Sequence, residues 1–246
     1  MGYGPFIAEP YYGHRARLYH LDLYSQPDRI AEIILTANDN GINAINLVND
    51  DVLIKAFDLA CDNGCDMKVI GTVGKSDVDY LNPNYEFARE VDWQEDVELF
   101  SQYDCPLMLV DEFIVDGYNW NFTSKILEEI NNNSLSGIIT AFPYRTTDLL
   151  LDGINTDLFD FYMIPLNSFA YMMDTPSFLK AQRTLFGKKI SELNKKIIAC
   201  RVFAAGIQTP DEGFNFLKNL DFVDMVTFGA ASSDEVKKDI DILKNI

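Results

Sequence analysis

The sequence alternates along its length between short apolar segments and longer segments with the spacing of an amphipathic helix. The apolar segments are continuously hydrophobic, which is typical of strands that are covered on both faces in a parallel sheet. This alternation predicts successive βαβ units rather than hairpins. The predicted strands lie at residues 17–24, 43–48, 67–72, 106–111, 137–142, 160–166, 196–203 and 223–228.

Helix start signals separate these strands. Thr209 is followed by Pro210 and then by Glu212, an arrangement that predicts the capping box of a helix N-terminus. Ser232 and Glu235 repeat the Ser/Thr-x-x-Glu spacing before the last helical segment. Eight strands that alternate with helices in about 250 residues are typical of a (β/α)8 barrel.

We therefore predict an α/β protein in which residues 1–246 form a single (β/α)8 TIM barrel domain and residues 1–16 form an N-terminal extension. A doubly wound open sheet is the alternative. Its dinucleotide-binding form needs a glycine-rich turn after the first strand. The segment LDLYSQPD, at that place in the chain, contains no glycine.

The chain is strongly acidic, with 20 Lys and Arg residues against 38 Asp and Glu residues and a formal charge of −18. This excess argues against nucleic acid or an anionic membrane as a partner. No apolar run reaches the roughly 18 residues of a membrane-spanning helix, and the first residues lack the apolar core of a signal peptide. We expect a cytoplasmic protein whose partner is a small-molecule ligand.

Cysteine and histidine are scarce, with 4 Cys and 2 His residues. The cysteines form no CxxC motif, so a zinc ribbon or a thioredoxin-type site has no support. Both histidines, His14 and His20, lie near the N-terminus, which excludes a serine-histidine triad built from the main body of the barrel. We predict no metal site, and one made of carboxylates alone stays open.

In barrel enzymes the functional residues lie at the carboxyl ends of the strands. The candidate catalytic residues at these positions are Asp111, Glu112 and Asn46. A carboxylate beside an apolar core tends towards a raised pKa and can act as a general base. Because adjacent strand residues face opposite sides, at most one of Asp111 and Glu112 should enter the barrel mouth. Alternatively, one of them caps a helix or pairs with an arginine.

Other strand ends supply candidate substrate-binding residues. Arg145 follows a buried strand in the polar run YRTTD, where a guanidinium suits a carboxylate or phosphate group. A salt bridge to one of the many acidic residues is the alternative for this arginine. The candidate substrate-binding residues are Thr72, Tyr144, Arg145, Asn167 and Arg201.

The last two predicted strands lead into small-residue loops and capped helix starts, AAGIQTPDEGF and FGAASSDEV. Backbone N–H groups at such helix starts bind anions, and barrels often hold phosphate in these loops. Simple helix capping is the alternative explanation. The candidate cofactor-binding residues are Gly206, Gly229, Ala230 and Ser232.

These loops resemble the end of the aldo/keto reductases, where a TPDE-like helix start follows a strand and a final V-T-x-G-A-S-S turn contacts the dinucleotide. The resemblance covers residues 105–246. It implies a (β/α)8 barrel, NADP or NAD as cofactor, and hydride transfer to a carbonyl group. The family performs this reaction with an Asp, Tyr, Lys and His set. At the matching positions this chain has Asn46, no tyrosine, Thr72 and Asp111.

Two hypotheses follow from this mismatch. In the first, the chain is an enzyme with non-standard catalytic residues that acts on a small anionic or phosphorylated metabolite. In the second, it is a catalytically inactive barrel that binds a small ligand or a protein partner. A pocket that brings Asp111, Arg145 and Arg201 together would favour the enzyme.

Overall fold

The computed structural model describes residues 1–76 and 82–245. Within these residues, seven parallel strands form one sheet whose spatial order is the order of the chain. The strands are β1 Ala44–Leu47, β2 Lys68–Val73, β3 Leu107–Val110, β4 Leu135–Ile139, β5 Phe161–Pro165, β6 Lys196–Cys200 and β7 Met225–Val226. The α-helices are α1 His14–Asp22, α2 Pro27–Asp39, α3 Asp51–Asp62, α4 Gln94–Phe100, α5 Glu112–Val115, α6 Trp120–Ile130, α7 Pro143–Leu151, α8 Lys180–Leu193, α9 Pro210–Lys218 and α10 Ser233–Lys244.

The first two residues join the two edges of the curled sheet. The backbone nitrogen of Met1 donates to Ala44 O at 2.7 Å, and the Asn46 N–H donates to Met1 O at 2.8 Å. On the other side, the Gly2 N–H donates to Phe228 O at 2.8 Å, just beyond β7. Met1 and Gly2 therefore occupy the eighth position of the barrel wall, between β7 and β1.

The predicted strand at residues 17–24 is wrong, because this segment forms most of helix α1. None of the nine residues of α1, all of them described, is buried, and Leu18 and Leu21 are exposed. The alternating apolar residues suggested a strand, but the position that such a strand would fill is taken by Met1 and Gly2. The division of the chain into one domain with an extension at residues 1–16 stays a prediction.

The other seven predicted strands are confirmed, and so are the capping signals. Thr209 and Glu212 form the reciprocal capping box of α9, and the Ser232 hydroxyl accepts the Glu235 N–H at the start of α10. The predicted strand at 137–142 is displaced, since β4 ends at Ile139 and the next residues turn into α7. The long loop predicted after β2 includes residues 77–81, which lie outside the described residues.

The core has two layers. The larger layer lies between the sheet and the surrounding helices, while a smaller cluster lies inside the curl of the sheet. The members of the smaller cluster alternate along the strands and thus share one face: Leu107, Leu109, Ile139, Met163, Ile198 and Cys200. Across the described helices, none combines the length and the apolar character that crossing a membrane requires.

Candidate functional site

A cavity of about 300 Å³ opens at the carboxyl ends of the strands. Its floor includes Ile139, Met163 and Cys200 of the inner apolar cluster. Polar side chains from well-separated strands converge above this floor, among them Asn46 near the carboxyl end of β1 and Arg201 directly after β6. A cavity of this size is at the lower end of the range for small-molecule sites.

Asp111 and Glu112 both line this cavity, so the prediction that at most one of them would enter it is wrong. Strand β3 ends at Val110, and Asp111 is already the N-cap of the short helix α5. Its Oδ1 accepts the Phe113 N–H at 3.0 Å. Strand alternation therefore stops one residue before the two carboxylates, and the first helical turn carries Glu112 to the same side.

Asp111 is 3% exposed, and burial raises the pKa of its carboxyl group to about 7. The Lys75 ammonium lowers this pKa, whereas the carboxylates of Glu112 and Glu9 raise it. Lys75 in turn forms an ion pair with Glu9 at 3.0 Å. The result is a buried carboxyl that changes protonation near neutral pH, as a general acid or base requires.

Arg201 is the main cation of the cavity wall. Its Nη2 donates to Glu112 Oε1 at 2.5 Å, and its guanidinium stacks over the Tyr11 ring at 5.0 Å. The other terminal nitrogen, Nη1, is buried and finds no hydrogen-bond partner in residues 1–76 and 82–245. The Arg201 backbone has φ = +52°, a left-handed conformation that is uncommon for a residue with a side chain.

Two further polar residues of the cavity escaped the sequence analysis, Gln208 and Thr227. Gln208 Oε1 accepts the Ser168 N–H at 3.2 Å and the Ser168 hydroxyl at 2.9 Å. Because a backbone N–H can only donate, these bonds fix the orientation of the amide. Gln208 Nε2 and Thr227 Oγ1 are both buried without a partner in the described part of the chain.

Two of the predicted residues, Thr72 and Asn167, do not line the cavity themselves but hydrogen-bond residues that do. Asn46 lines it, and its Nδ2 donates to Thr72 Oγ1 and to Ile70 O, each at 2.8 Å. Asn167 is fully buried, and its Nδ2 donates to Arg201 O at 3.3 Å. Thr72 and Asn167 therefore hold the residues that face the cavity.

Tyr144 and Arg145 lie elsewhere, on α7. Neither is among the described residues that line the cavity. The Tyr144 ring packs against Phe186 with centroids 4.5 Å apart, and the exposed Arg145 stacks over the Tyr118 ring at 4.3 Å. Arg145 therefore does not join Asp111 and Arg201, because the helix directs it outward.

Residues 3–19, which we call the N-terminal cover, form one wall of the cavity. The Tyr11 carbonyl accepts the Tyr171 hydroxyl at 2.5 Å, which anchors the cover to the loop after β5. Burial raises the pKa of the Tyr11 and Tyr12 phenols well above their usual value, so both stay protonated at neutral pH. The members of the cover that line the cavity are Tyr3, Gly4, Glu9, Tyr11, Tyr12, Arg15 and Tyr19.

The cover also contacts the residues predicted to bind a cofactor. A Cβ atom at Gly206 would lie 2.1 Å from Arg15 Nη1, and one at Gly229 would lie 2.5 Å from the Pro5 ring. Both glycine surfaces are therefore occupied by side chains of the chain itself. This close approach explains why glycine suits each position.

The anion-binding groups of the same loops are occupied as well. The Glu235 carboxylate accepts the Ala231 N–H at 2.7 Å, and the Ser232 hydroxyl is the cap of α10. Ala230 is 1% exposed. The Ala231 N–H is therefore not free to bind a phosphate in this structure, and cofactor binding by the four predicted residues stays a prediction.

No group of three or more His, Cys, Asp or Glu side chains in residues 1–76 and 82–245 is placed to hold a metal ion.

Solved structures of other proteins have the same fold as this chain. No protein-family profile matches the chain, and no curated protein matches it in sequence. A protein of Pseudomonas aeruginosa described as an aldo-keto reductase is 15% identical with a TM-score of 0.64, over 89% of this chain and 84% of that one. The chain has the aldo-keto reductase fold. Other structures with this fold show how far the likeness extends.

A glycerol dehydrogenase from Gluconobacter oxydans is 12% identical to this chain with a TM-score of 0.61, over 100% of this chain and 90% of the other. A mutant of Gox0644, solved in complex with NADPH, is also 12% identical, with a TM-score of 0.58 over 88% of this chain and 79% of that one. At these identities the likeness defines the architecture, and the chemistry must be argued from the cavity.

Proposed function

We propose that the chain is an enzyme that binds a small anionic or phosphorylated metabolite in the cavity and uses Asp111 to transfer a proton. The observation that supports this proposal is a carboxyl group with a pKa of about 7 on the wall of a cavity at the carboxyl end of the barrel. A general acid or base is most effective when its pKa lies near the working pH.

Each neighbour of Asp111 has a distinct part in this proposal. Lys75 prevents the pKa of Asp111 from rising further, while Glu112 and Glu9 oppose its ionisation. Arg201, held by Glu112, presents its unpaired Nη1 to an anionic group of the ligand. Asn46, held by Thr72, adds a polar contact on the opposite wall. Asp111 then gives its proton to the bound ligand or takes one from it.

The aldo-keto reductase fold keeps NADP or NAD as candidate cofactors. Such a cofactor would supply a hydride when bound. The contacts of Arg15 and Glu235 described above favour a ligand without a dinucleotide, and the reaction we propose uses none. Titration with NADPH and NADH tests this directly. We expect no saturable change in fluorescence or melting temperature at cofactor concentrations up to about 1 mM. Saturable binding would show that a dinucleotide is part of the function.

A catalytically inactive barrel is the second candidate. The replacements that favour it are Asn46, Thr72 and Asp111, which stand where the resemblance implies Asp, Lys and His. An inactive relative would bind ligands in the same cavity but would not need an Asp111 that titrates near neutrality.

Exchange of ligand protons with solvent separates the two candidates. The purified protein is incubated in D₂O with small 2-oxo acids and phosphorylated sugars, and deuterium incorporation is followed by NMR. Asp111→Asn should slow any exchange by about 10²–10⁴-fold. Asp104→Asn, at an exposed residue paired with Lys68, is the matched control and should leave the rate unchanged. Binding without exchange would favour the inactive barrel.

A further inference from the structure

Two residues that line the cavity beyond β6 each carry a buried hydrogen-bond donor without a partner in the described residues. Arg201 Nη1 and Gln208 Nε2 both lack a partner within the described residues. The Arg201 side chain is 7% exposed and Gln208 is 2% exposed, so neither group is solvated in the manner of a surface residue. Each buried donor without a partner lowers the stability of the folded protein by about 1–3 kcal/mol. Two such donors on one wall of the cavity indicate a ligand that supplies the missing acceptors.

The geometry around these donors is fixed before any ligand binds. Glu112 accepts a hydrogen bond from Nη2 of the Arg201 guanidinium, and the Tyr11 ring lies against its face. Nη1 is left without a partner in the described residues. Ser168 donates two hydrogen bonds to the oxygen of the Gln208 amide, so Nε2 is the amide atom left without a partner in the described residues. Thr227 Oγ1 adds a third unpartnered polar atom, which can donate as well, on the β7 side of the described cavity.

The charge of the remaining wall limits the acceptor. Five carboxyl groups line the cavity, those of Glu9, Asp111, Glu112, Glu235 and Asp239, against three cationic groups among the described residues. A phosphate dianion would meet repulsion from this excess. The second guanidinium of the described wall, that of Arg15, lies against Gly206 and hydrogen-bonds Tyr19. A single negative charge spread over two coplanar oxygens matches one guanidinium nitrogen and one amide nitrogen.

We infer that the donors of Arg201 and Gln208, with Thr227, form a subsite for the carboxylate of a small monocarboxylic acid. This inference rests on the cavity being the ligand site of the proposed function, and it narrows the ligand from an anion in general to a carboxylate. Arg201 binds one oxygen of that carboxylate and Gln208 binds the other. The rest of the ligand then extends over the apolar floor towards Asp111.

Calorimetric titration with matched acids and amides tests the subsite. The probes are L-lactate and benzoate, their neutral counterparts L-lactamide and benzamide, and inorganic phosphate. We expect at least one of the two acids to bind at least about tenfold more tightly than its amide and than phosphate. Phosphate binding more tightly than both acids, an amide equal to its acid, or no acid binding below about 10 mM would each overturn the inference.

Gln208→Glu is the decisive variant. It keeps the oxygen that accepts from Ser168 and replaces only the free donor with an acceptor, so acid binding should weaken by at least about tenfold. Gln182→Glu is the matched control, because the Gln182 oxygen also accepts a backbone N–H, from Leu179, and a serine hydroxyl, from Ser177. Equal weakening in both variants, or none in Gln208→Glu, would contradict the subsite.

The outcome is separable from that of the proposed function. If acid binding depends on Gln208 but the protein catalyses no proton exchange, the carboxylate subsite is supported and the proposed enzymatic function is contradicted. If proton exchange depends on Asp111 but is unaffected by Gln208→Glu, the proposed enzymatic function is supported and the subsite is contradicted.

Discussion

Two buried polar clusters lie at the carboxyl end of the barrel, and they differ in how completely their hydrogen bonds are made. The Asp116 cluster consists of Asp116, Thr140, Thr146 and Tyr118. Asp116 accepts the Thr140 hydroxyl and the Ala141 N–H, the latter at 2.8 Å. Thr140 also contacts the Thr146 hydroxyl at 2.9 Å and accepts the Phe142 N–H at 3.0 Å.

The cavity cluster consists of Arg201, Gln208 and Thr227, and each of these retains one atom without a partner in the described residues. The unpartnered atoms of this cluster are buried, so unlike the Asp116 cluster it leaves buried hydrogen bonds unmade. A satisfied network stabilises the fold, whereas an unsatisfied one lowers stability unless a ligand completes it. We therefore interpret the Asp116 cluster as structural and the cavity cluster as a binding site.

Asp116→Ala should have the largest effect on stability. It removes the carboxylate that accepts from the Thr140 hydroxyl and from the Ala141 N–H, so the free energy of unfolding should fall by about 2–5 kcal/mol. Urea unfolding followed by circular dichroism measures this change. Asp104→Ala, which breaks an exposed ion pair with Lys68, should cost about 0.5 kcal/mol or less. Equal losses in the two variants would show that the Asp116 cluster is not structural.

Asp111→Asn should stabilise the protein at high pH. Burial raises the pKa of Asp111 from 3.8 in the unfolded chain to about 7 in the folded protein. Below about pH 4 both states hold the proton. As the pH rises to about 7, only the unfolded state releases it, so this residue lowers native stability progressively and the loss persists above pH 7.

Asparagine removes that ionisation and can still accept the Phe113 N–H as a helix cap. The variant should therefore gain about 1–4 kcal/mol in unfolding free energy near pH 8 and little near pH 4. The comparison at the two pH values is its own control. A gain of the same size at both would mean that Asp111 does not titrate between them, which would also remove the basis of the proposed function.

Two threonine-to-valine substitutions compare the clusters directly: Thr140→Val in the Asp116 cluster and Thr227→Val in the cavity cluster. Thr140→Val removes a hydroxyl that bonds Asp116 and Phe142, and should cost about 1–3 kcal/mol. Unfolding in urea under identical conditions gives both values of the pair. A loss in Thr140→Val below that of Thr227→Val would reverse our assignment of the two clusters.

Thr227→Val should have the smallest effect, since Thr227 Oγ1 has no partner to lose among the described residues. We expect a change within about 0.5 kcal/mol in the absence of ligand. The same variant should weaken binding of the acid that the parent protein prefers, as measured by calorimetry. A loss of stability without any change in acid binding would show that Thr227 stabilises the fold and does not bind the ligand.

Part of the site could be predicted from the sequence, because strand ends are recognisable. Asn46 lies near the carboxyl end of an apolar strand, Asp111 and Arg201 directly follow one, and all three line the cavity. Gln208 carried no such signal, whereas Thr227 lies near the end of the predicted strand at 223–228 and was not selected. Gln208 lies in the loop after β6, and the hydrogen bonds that leave its nitrogen unpaired among the described residues come from Ser168, 40 residues earlier. Thr227 follows a strand of only two residues.

Local patterns in the sequence determined the seven strands, the helices between them and the caps of α9 and α10, since each depends on residues a few positions apart. Tertiary structure decided which segment fills the eighth position of the wall. Helix α1 could not, because Met1 and Gly2 already pair with Ala44, Asn46 and Phe228. It also decided that Arg201, and not Arg145, reaches the cavity. Pairing across a closing barrel and the direction of a side chain depend on residues far apart in sequence, and no local pattern records them.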